Sequence, residues 1–310
     1  MSCSAVKVPP EPIKLNGSDC LIQPQVCLAN LTSLRVGGLA QWYAAPKNWE
    51  DVRAILQWYE SQEDLPLTIL GAGSNLLVSD RGISGLTLST RHLRYNKFDL
   101  ETAQIIAGGG ESIARLAWEA AKWGWRGLEW AAGIPGTVGG AVVMNAGAHS
   151  ECVADRLVSA TVISSQMEVK KLSARDLNYS YRSSNLQGDR LLVVEATFQL
   201  EPGFDSAEIM AITQQHLMKR KNSQPYDRPS CGSVFRNPKS YAAGWLIEQI
   251  GLKGYQIGGA QIAHRHANFI INCGGATADD IFRLIRHIQE QVEYRWSLHL
   301  EPEVKLLGEF

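Results

Sequence analysis

GLEWAAGIPGTVGGAVVMNAGAHS, residues 127–150, carries no charged side chain between Trp130 and Ala148. Glycines at 133, 136, 139, 140 and 147, together with Pro135, interrupt it. Neither a regular helix nor a continuous strand is expected to run through such a stretch, which reads as an apolar, glycine-studded loop. Missing Cβ atoms let a ligand reach van der Waals contact with the backbone, and unpaired N–H groups there can point at an anion. A flat, partly charged cofactor suits that wall, while a buried turn between core strands is the plainer alternative.

Upstream, Leu67–Leu70 has the apolar, part β-branched character of a buried strand. It ends in Gly71-Ala72-Gly73-Ser74-Asn75, ahead of a second apolar run, Leu76–Val78. Gly71 and Gly73 superficially match a dinucleotide fingerprint. Leu76 replaces its third glycine, however, and Ser79-Asp80-Arg81-Gly82 stands where a crossover helix would begin, so a Rossmann reading fails. Residues 32–38, TSLRVGG, lead into a strand-like run through Trp42 and Tyr43. Asn48 then caps a helix with Val52, Ile55, Leu56 and Tyr59 on one face.

Ile105 to Gly110 reads as strand and turn, and Ile113, Leu116, Ala117, Ala120 and Trp123 line a helix closed by Gly124. Strands of an antiparallel sheet are expected over 158–163, 167–172 and 191–200, interrupted by YSYRSS at 179–184. The first two hundred residues thus read as two α+β units. Pro202-Gly203 marks a boundary, followed by helices over 208–220 and 241–250 and a strand over 269–271. Thr277 and Asp280 open a last helix with Ile281, Leu284, Ile285, Ile288 and Val292 along one face.

At 310 residues the chain has room for two or three domains. Its 45% hydrophobic and 20% charged composition is that of a soluble globular protein. A net charge of -1 gives no basic footprint for nucleic acid or anionic lipid. Cysteines at 3, 20, 27, 152, 231 and 273 form no CxxC pair or metal-ligand spacing, so they read as reduced thiols of a cytoplasmic protein. Residues 1–30 read as a polar leader without the basic start and apolar run of a signal peptide, and no segment has the apolar length to span a bilayer.

Several motifs in this order resemble the UDP-N-acetylenolpyruvoylglucosamine reductase (MurB) family. They are TSLRVGG at 32–38, GAGSNLL at 71–77, GIPGTVGGAVVMNAGAH at 133–149, YRSS at 181–184, CGSVFRNP at 231–238, GYQIGGAQIAHRHANFIIN at 254–272 and LEPEV at 300–304. The resemblance implies an α+β fold of the vanillyl-alcohol-oxidase flavoprotein type. FAD-binding subdomains would occupy 31–95 and 96–202, and a third, substrate-binding domain 203–310. The short span between Ser233 and Glu303 matches family members without an extra substrate-covering loop. The implied ligands are noncovalent FAD, NADPH as electron donor and UDP-N-acetylglucosamine enolpyruvate; a monomer is expected, with no metal, nucleic-acid or membrane partner.

By the same resemblance, Arg182 and Glu303 stabilise the enolate-like intermediate and Ser233 donates the proton. Glu303 can help either protonated or by holding a neighbour or water in place. Gly71, Ala72, Gly73, Ser74 and Asn75 would meet the FAD pyrophosphate. Gly133, Ile134, Pro135, Gly136, Thr137, Gly139 and Gly140, with Asn145, Ala146 and Gly147, would line the flavin and its ribityl chain. Arg35 could meet a phosphate or pin the domain. Lys221, Asn237 and His266 fall where the family contacts substrate. His264 and His266 have no third ligand at a recognisable metal spacing. Without the resemblance, Arg182, Ser233 and Glu303 would pass for an ion-paired surface residue, a turn serine and an exposed strand residue. Competing readings are an oxidase of the same fold that discharges to oxygen, a catalytically inactive flavin-binding module, and a plain nicotinamide dehydrogenase.

Overall fold

The computed structural model describes residues 10–188 and 191–310. The first sheet contains β1 (Ile13–Lys14), β2 (Leu21–Cys27) and β3 (Leu39–Ala44). A helix, α1 (Trp49–Glu60), precedes β4 (Leu67–Leu70), β5 (Leu76–Val78) and β6 (Ile83–Ser89). The strand order is β1-β2-β3-β6-β4, with β6 parallel to both of its neighbours. α1 starts where the sequence indicates: the Asn48 side chain accepts the Asp51 N–H at 2.8 Å, and Val52, Ile55 and Leu56 are buried. The reading of residues 1–30 as a leader is corrected for its described part, because 13–14 and 21–27 pair into this sheet. Residues 1–9 lie outside the described residues.

The second sheet is built from β7 (Asn96–Asp99) and β8 (Gln104–Gly108), followed by α2 (Ile113–Lys122). Next come α3 (Val138–Met144) and the short pair β9 (Gly147–Ala148) and β10 (Glu151–Cys152). β11 (Leu157–Ile163), β12 (Val169–Ser173) and β13 (Leu192–Gln199) complete an antiparallel sheet of order β12-β11-β13-β8-β7. Of the face of α2 expected from its periodicity, Ile113, Leu116, Ala117 and Ala120 are buried in the core of this unit, whereas Trp123, which ends the helix, is 54% exposed.

α3 corrects the expectation that no regular helix runs through residues 127–150. Thr137 caps it, its hydroxyl accepting the Gly140 N–H at 3.2 Å, and Asn145 ends it in a left-handed conformation at φ 43°. Gly139 costs the helix some intrinsic propensity, but a Cβ there would stand 3.0 Å from the Gly109 carbonyl oxygen. Close packing of α3 on the second sheet therefore outweighs the helix-breaking tendency of glycine.

The last third holds α4 (Ser206–Ser223), α5 (Ala243–Gln249), β14 (Gln256–Ile257), β15 (Ala260–Ile262), β16 (Ile270–Asn272), α6 (Ala278–Trp296) and β17 (Lys305–Leu307). Thr277 and Asp280 form the expected capping box of α6, and Ile281, Leu284, Ile285, Ile288 and Val292 are buried. This region is tied to the first part of the chain in three ways. Leu34, Val36 and Leu77 pack in its core. β17 runs parallel to β5, with Lys305 opposite Leu76. The Asp80 carboxylate accepts the Ala278 and Asp279 N–H groups at 2.9 and 3.0 Å, a second cap on α6.

Candidate active site

The three parts of the chain converge on a cavity of about 750 Å³, within the size range of small-molecule sites. One wall is the turn between β4 and β5, residues 71–75, and another is formed by residues 134–137 with α3 and the start of β9. The turn owes its shape to Gly73, at φ +67°, where an added Cβ would approach the Leu31 carbonyl oxygen to 2.3 Å. The Ser74 hydroxyl donates to the Pro135 carbonyl at 2.7 Å and locks the two walls together. Among the described residues, the amides of Ala72, Gly73, Ser74 and Asn75 have no hydrogen-bond acceptor. Successive free N–H groups facing a cavity are a fit for the pyrophosphate of a dinucleotide cofactor, and the apolar, glycine-lined wall opposite them fits a planar ring.

Arg182, Ser233 and Glu303 all line the cavity. Arg182 donates through Nε to Glu303 Oε1 at 3.0 Å and through Nη2 to the Gly147 carbonyl at 2.7 Å. Its backbone takes φ +55°, a conformation that non-glycine residues adopt at a cost. Glu303 is fixed by its main chain: its N–H donates to the Val234 carbonyl at 2.7 Å, and its carbonyl accepts from the Asn75 side chain at 3.0 Å. Burial pushes the Glu303 carboxyl above the usual carboxylate range, and Arg182, Arg236 and Lys305 oppose that rise. Ser233 follows Gly232, at φ +80°, around which an added Cβ would meet nothing within 4 Å. The space beside the serine is open to a ligand.

Other expected residues stand elsewhere. Arg35 is exposed and outside the cavity lining; Gly133, half-buried, also lies outside it, and its carbonyl accepts the Tyr226 hydroxyl at 2.8 Å. Asn145 is buried with its amide spent on Ser180 O and Ala154 N, both at 3.0 Å. Lys221 is exposed, Asn237 caps α5 through the Ala243 N–H at 3.0 Å, and the His266 Nδ1 accepts the Asn268 N–H at 3.2 Å; none of the three lines the cavity.

Lys305, Gln187, Lys219 and Arg220 line the cavity without having been singled out from sequence. Lys305 donates to the Gln187 side chain at 2.9 Å, and burial, then Arg236, depresses its pKa. Lys305 opens β17 two residues after Glu303, and both line the cavity. Lys219 and Arg220 lie near the C-terminal end of α4, a helix with few buried residues and hence no periodic pattern to mark an inner face.

The FAD binding domain family matches residues 40–173, and the UDP-N-acetylenolpyruvoylglucosamine reductase C-terminal domain family matches 224–307. A reductase of that name from Trichormus variabilis is 63% identical over 298 residues, covering 96% of this chain and 90% of the relative. One from Synechocystis is 58% identical over 301 residues, covering 96% and 94%. The crystal structure of UDP-N-acetylenolpyruvylglucosamine reductase (MurB) from Thermus caldophilus superposes with a TM-score of 0.79 at 33% identity, covering 93% of this chain and 99% of that one. The fold is accordingly α+β, an FAD-binding unit joined to a third α+β lobe. With this identity spread over nearly the whole length, the chain belongs to the UDP-N-acetylenolpyruvoylglucosamine reductase family.

Proposed function

We propose that Arg182, Glu303 and Ser233 carry the substrate half of the family's reaction. The protein is an FAD-dependent oxidoreductase that uses NADPH to reduce the enolpyruvyl ether of UDP-N-acetylglucosamine, forming UDP-N-acetylmuramate for peptidoglycan synthesis. The cavity residues would hold FAD, which would supply hydride-transfer chemistry between NADPH and the terminal vinyl carbon.

The residues of the chain handle the charge and proton that this creates. Electron density builds on the carbon bearing the ether oxygen and spreads into the adjacent carboxylate, which calls for fixed positive donors and a proton source. Arg182 has five N–H donors. Glu303 and Gly147 engage its Nε and Nη2, orienting the guanidinium while leaving further N–H groups for the substrate carboxylate. Glu303 holds Arg182 when ionised, and its raised pKa lets it take up a proton and donate when the anionic substrate arrives. Ser233 donates its hydroxyl proton to the carbon beside the ether oxygen. A serine is a weak acid, but the carbanion is far more basic, so placement governs the step.

In this reading the amides of residues 72–75 hold the FAD pyrophosphate, and residues 134–140 with 146–147 flank the flavin and ribityl chain. The described residues up to 95, β1 and β2 included, and residues 96–202 are taken as the FAD-binding subdomains and 203–310 as the substrate domain, in a cytoplasmic monomer. Among the described residues, no helix is long and apolar enough to cross a membrane.

The observation that carries this proposal is the meeting of Arg182, Ser233 and Glu303 on one cavity walled by both glycine-rich loops. It is tested by anaerobic titration of the NADPH-reduced holoenzyme with UDP-N-acetylglucosamine enolpyruvate. The flavin absorbance should return stoichiometrically; a flavin that stays reduced would remove the proposal.

A further inference from the structure

We infer that Asn268 is a positioning residue for the Ser233 hydroxyl. The inference rests on Ser233 being the proton donor and concerns how the fold holds it.

Residues 229–236 run between two neighbouring segments of the third lobe. On one side the Asn272 N–H donates to the Pro229 carbonyl at 2.9 Å, and Ser230 bridges Ile271. The pairing then opens over Cys231, Gly232 and Ser233, with Gly232 at φ +80°, and this excursion brings Ser233 to the cavity. It closes again at Asn268. The Val234 N–H donates to the Asn268 main-chain carbonyl at 2.9 Å. The Asn268 side chain accepts the Phe235 N–H at 2.9 Å and donates to the Phe235 carbonyl at 2.8 Å.

A primary amide presents one donor and one acceptor side by side, so Asn268 takes the place of a strand neighbour for Phe235 where the ladder is broken. Asn268 is 3% exposed and Phe235 1%, so water cannot readily substitute for either bond. On the opposite side, the Val234 carbonyl accepts the Glu303 N–H at 2.7 Å, and the Arg236 N–H donates to the Glu301 carbonyl at 2.9 Å. Val234, one residue after Ser233, is therefore clamped between Asn268 and the main chain of Glu303. The same clamp fixes the proton donor relative to the carboxyl that holds Arg182. His266 enters one step further out, since its Nδ1 accepts the Asn268 N–H.

The test compares Asn268→Ala, Ser233→Ala and the double variant as FAD-loaded enzymes, following the two half-reactions separately by anaerobic rapid mixing. Asn268→Ala is expected to leave flavin reduction by NADPH within about twofold and to slow reoxidation by substrate about 10²-fold, the scale of a 1 Å misplacement. In the Ser233→Ala background, the same substitution should add less than about threefold, because both changes act through one hydroxyl. Asn268→Ser, which keeps a short polar group opposite Phe235, serves the same comparison if the alanine variant does not accumulate as holoenzyme.

Equal slowing of both half-reactions, unchanged reoxidation, or multiplicative losses in the double variant would each overturn the inference while leaving the role of Ser233 intact. A Ser233→Ala enzyme that reoxidises at the wild-type rate would overturn the assignment of Ser233 and the inference together.

Discussion

Arg182 Nε lies 3.0 Å from Glu303 Oε1, a contact between side chains 121 residues apart in sequence. Arg182 comes from the segment between β12 and β13, whereas Glu303 comes from the chain leading into β17. The side chains are largely shielded, 22% and 14% exposed, so removing one partner alone leaves the other's charge buried and unpaired, which is costlier than breaking a surface ion pair.

Replacing Arg182 with lysine keeps the charge but loses the planar fork that serves Glu303, Gly147 and substrate together. Arg182→Lys should slow reoxidation of the reduced flavin by substrate about 10²-fold, equivalent to roughly 2.7 kcal/mol, with flavin reduction by NADPH little changed. Rapid-mixing absorbance measurements separate the two phases. A variant whose losses fell on the NADPH phase would place Arg182 outside the substrate half.

The pH dependence of stability reports on Glu303. Its folded-state pKa is raised by burial, so its stabilising contribution is full below the unfolded value of about 4.3 and is lost as pH rises through the folded value. Glu303→Gln removes that titration. The melting temperature of the variant, minus that of the wild type, should therefore increase with pH from the ordinary glutamate range up to the raised pKa and then level off. A difference that decreases over this window would mean that Arg182 outweighs burial and that Glu303 remains ionised.

Gly73 is where a single methyl should be costliest to the cofactor site. Its φ of +67° and the 2.3 Å approach of a Cβ to Leu31 O both oppose a side chain. Gly73→Ala should lose about 1–3 kcal/mol of stability from backbone strain alone, and the clash should weaken FAD retention further. Thermal unfolding and fluorescence titration of FAD into the apoprotein measure the two effects. Wild-type values in both would show that the turn does not need glycine.

Asp80, in the turn between β5 and β6, joins that turn to the last helix through the Ala278 and Asp279 amides. Asp80→Ala should cost about 1 kcal/mol, the usual worth of a helix N-cap, while Asp80→Asn should recover part of it. Denaturant unfolding of the holoenzyme is the appropriate measurement. A neutral alanine variant would show that Thr277 and Asp280 suffice to cap α6.

Elements with local signals were legible in the sequence. α1 and α6 declare themselves through a capping side chain and a buried periodic face, α2 through its periodic face, and β11 to β13 through β-branched runs. β6 was not foreseen, although it is central to the first sheet. Its Gly85, at φ +83° and packed against the Pro66 carbonyl, gives Ile83–Ser89 the look of a turn. β2 was hidden by Pro24 and its glutamines, and α3 by the glycines that permit its close packing.

The site divides in the same way. Short motifs in family order named Arg182, Ser233, Glu303 and both glycine walls, which the fold brings to one cavity. The family resemblance also nominated Arg35, Lys221, Asn237 and His266, which do not line it. Lys219 and Arg220 were missed because they face the cavity only through the placement of α4, a tertiary relationship without a local pattern.

The central claim is that Ser233 supplies the proton in the substrate half of the reaction. The most direct measurement mixes NADPH-reduced Ser233→Ala holoenzyme with UDP-N-acetylglucosamine enolpyruvate under anaerobic conditions and follows return of the oxidised flavin. The account expects reoxidation slowed about 10²- to 10⁴-fold, the range for a general acid, with reduction by NADPH at close to the wild-type rate. Reoxidation at the wild-type rate, or equal slowing of both halves, would contradict it.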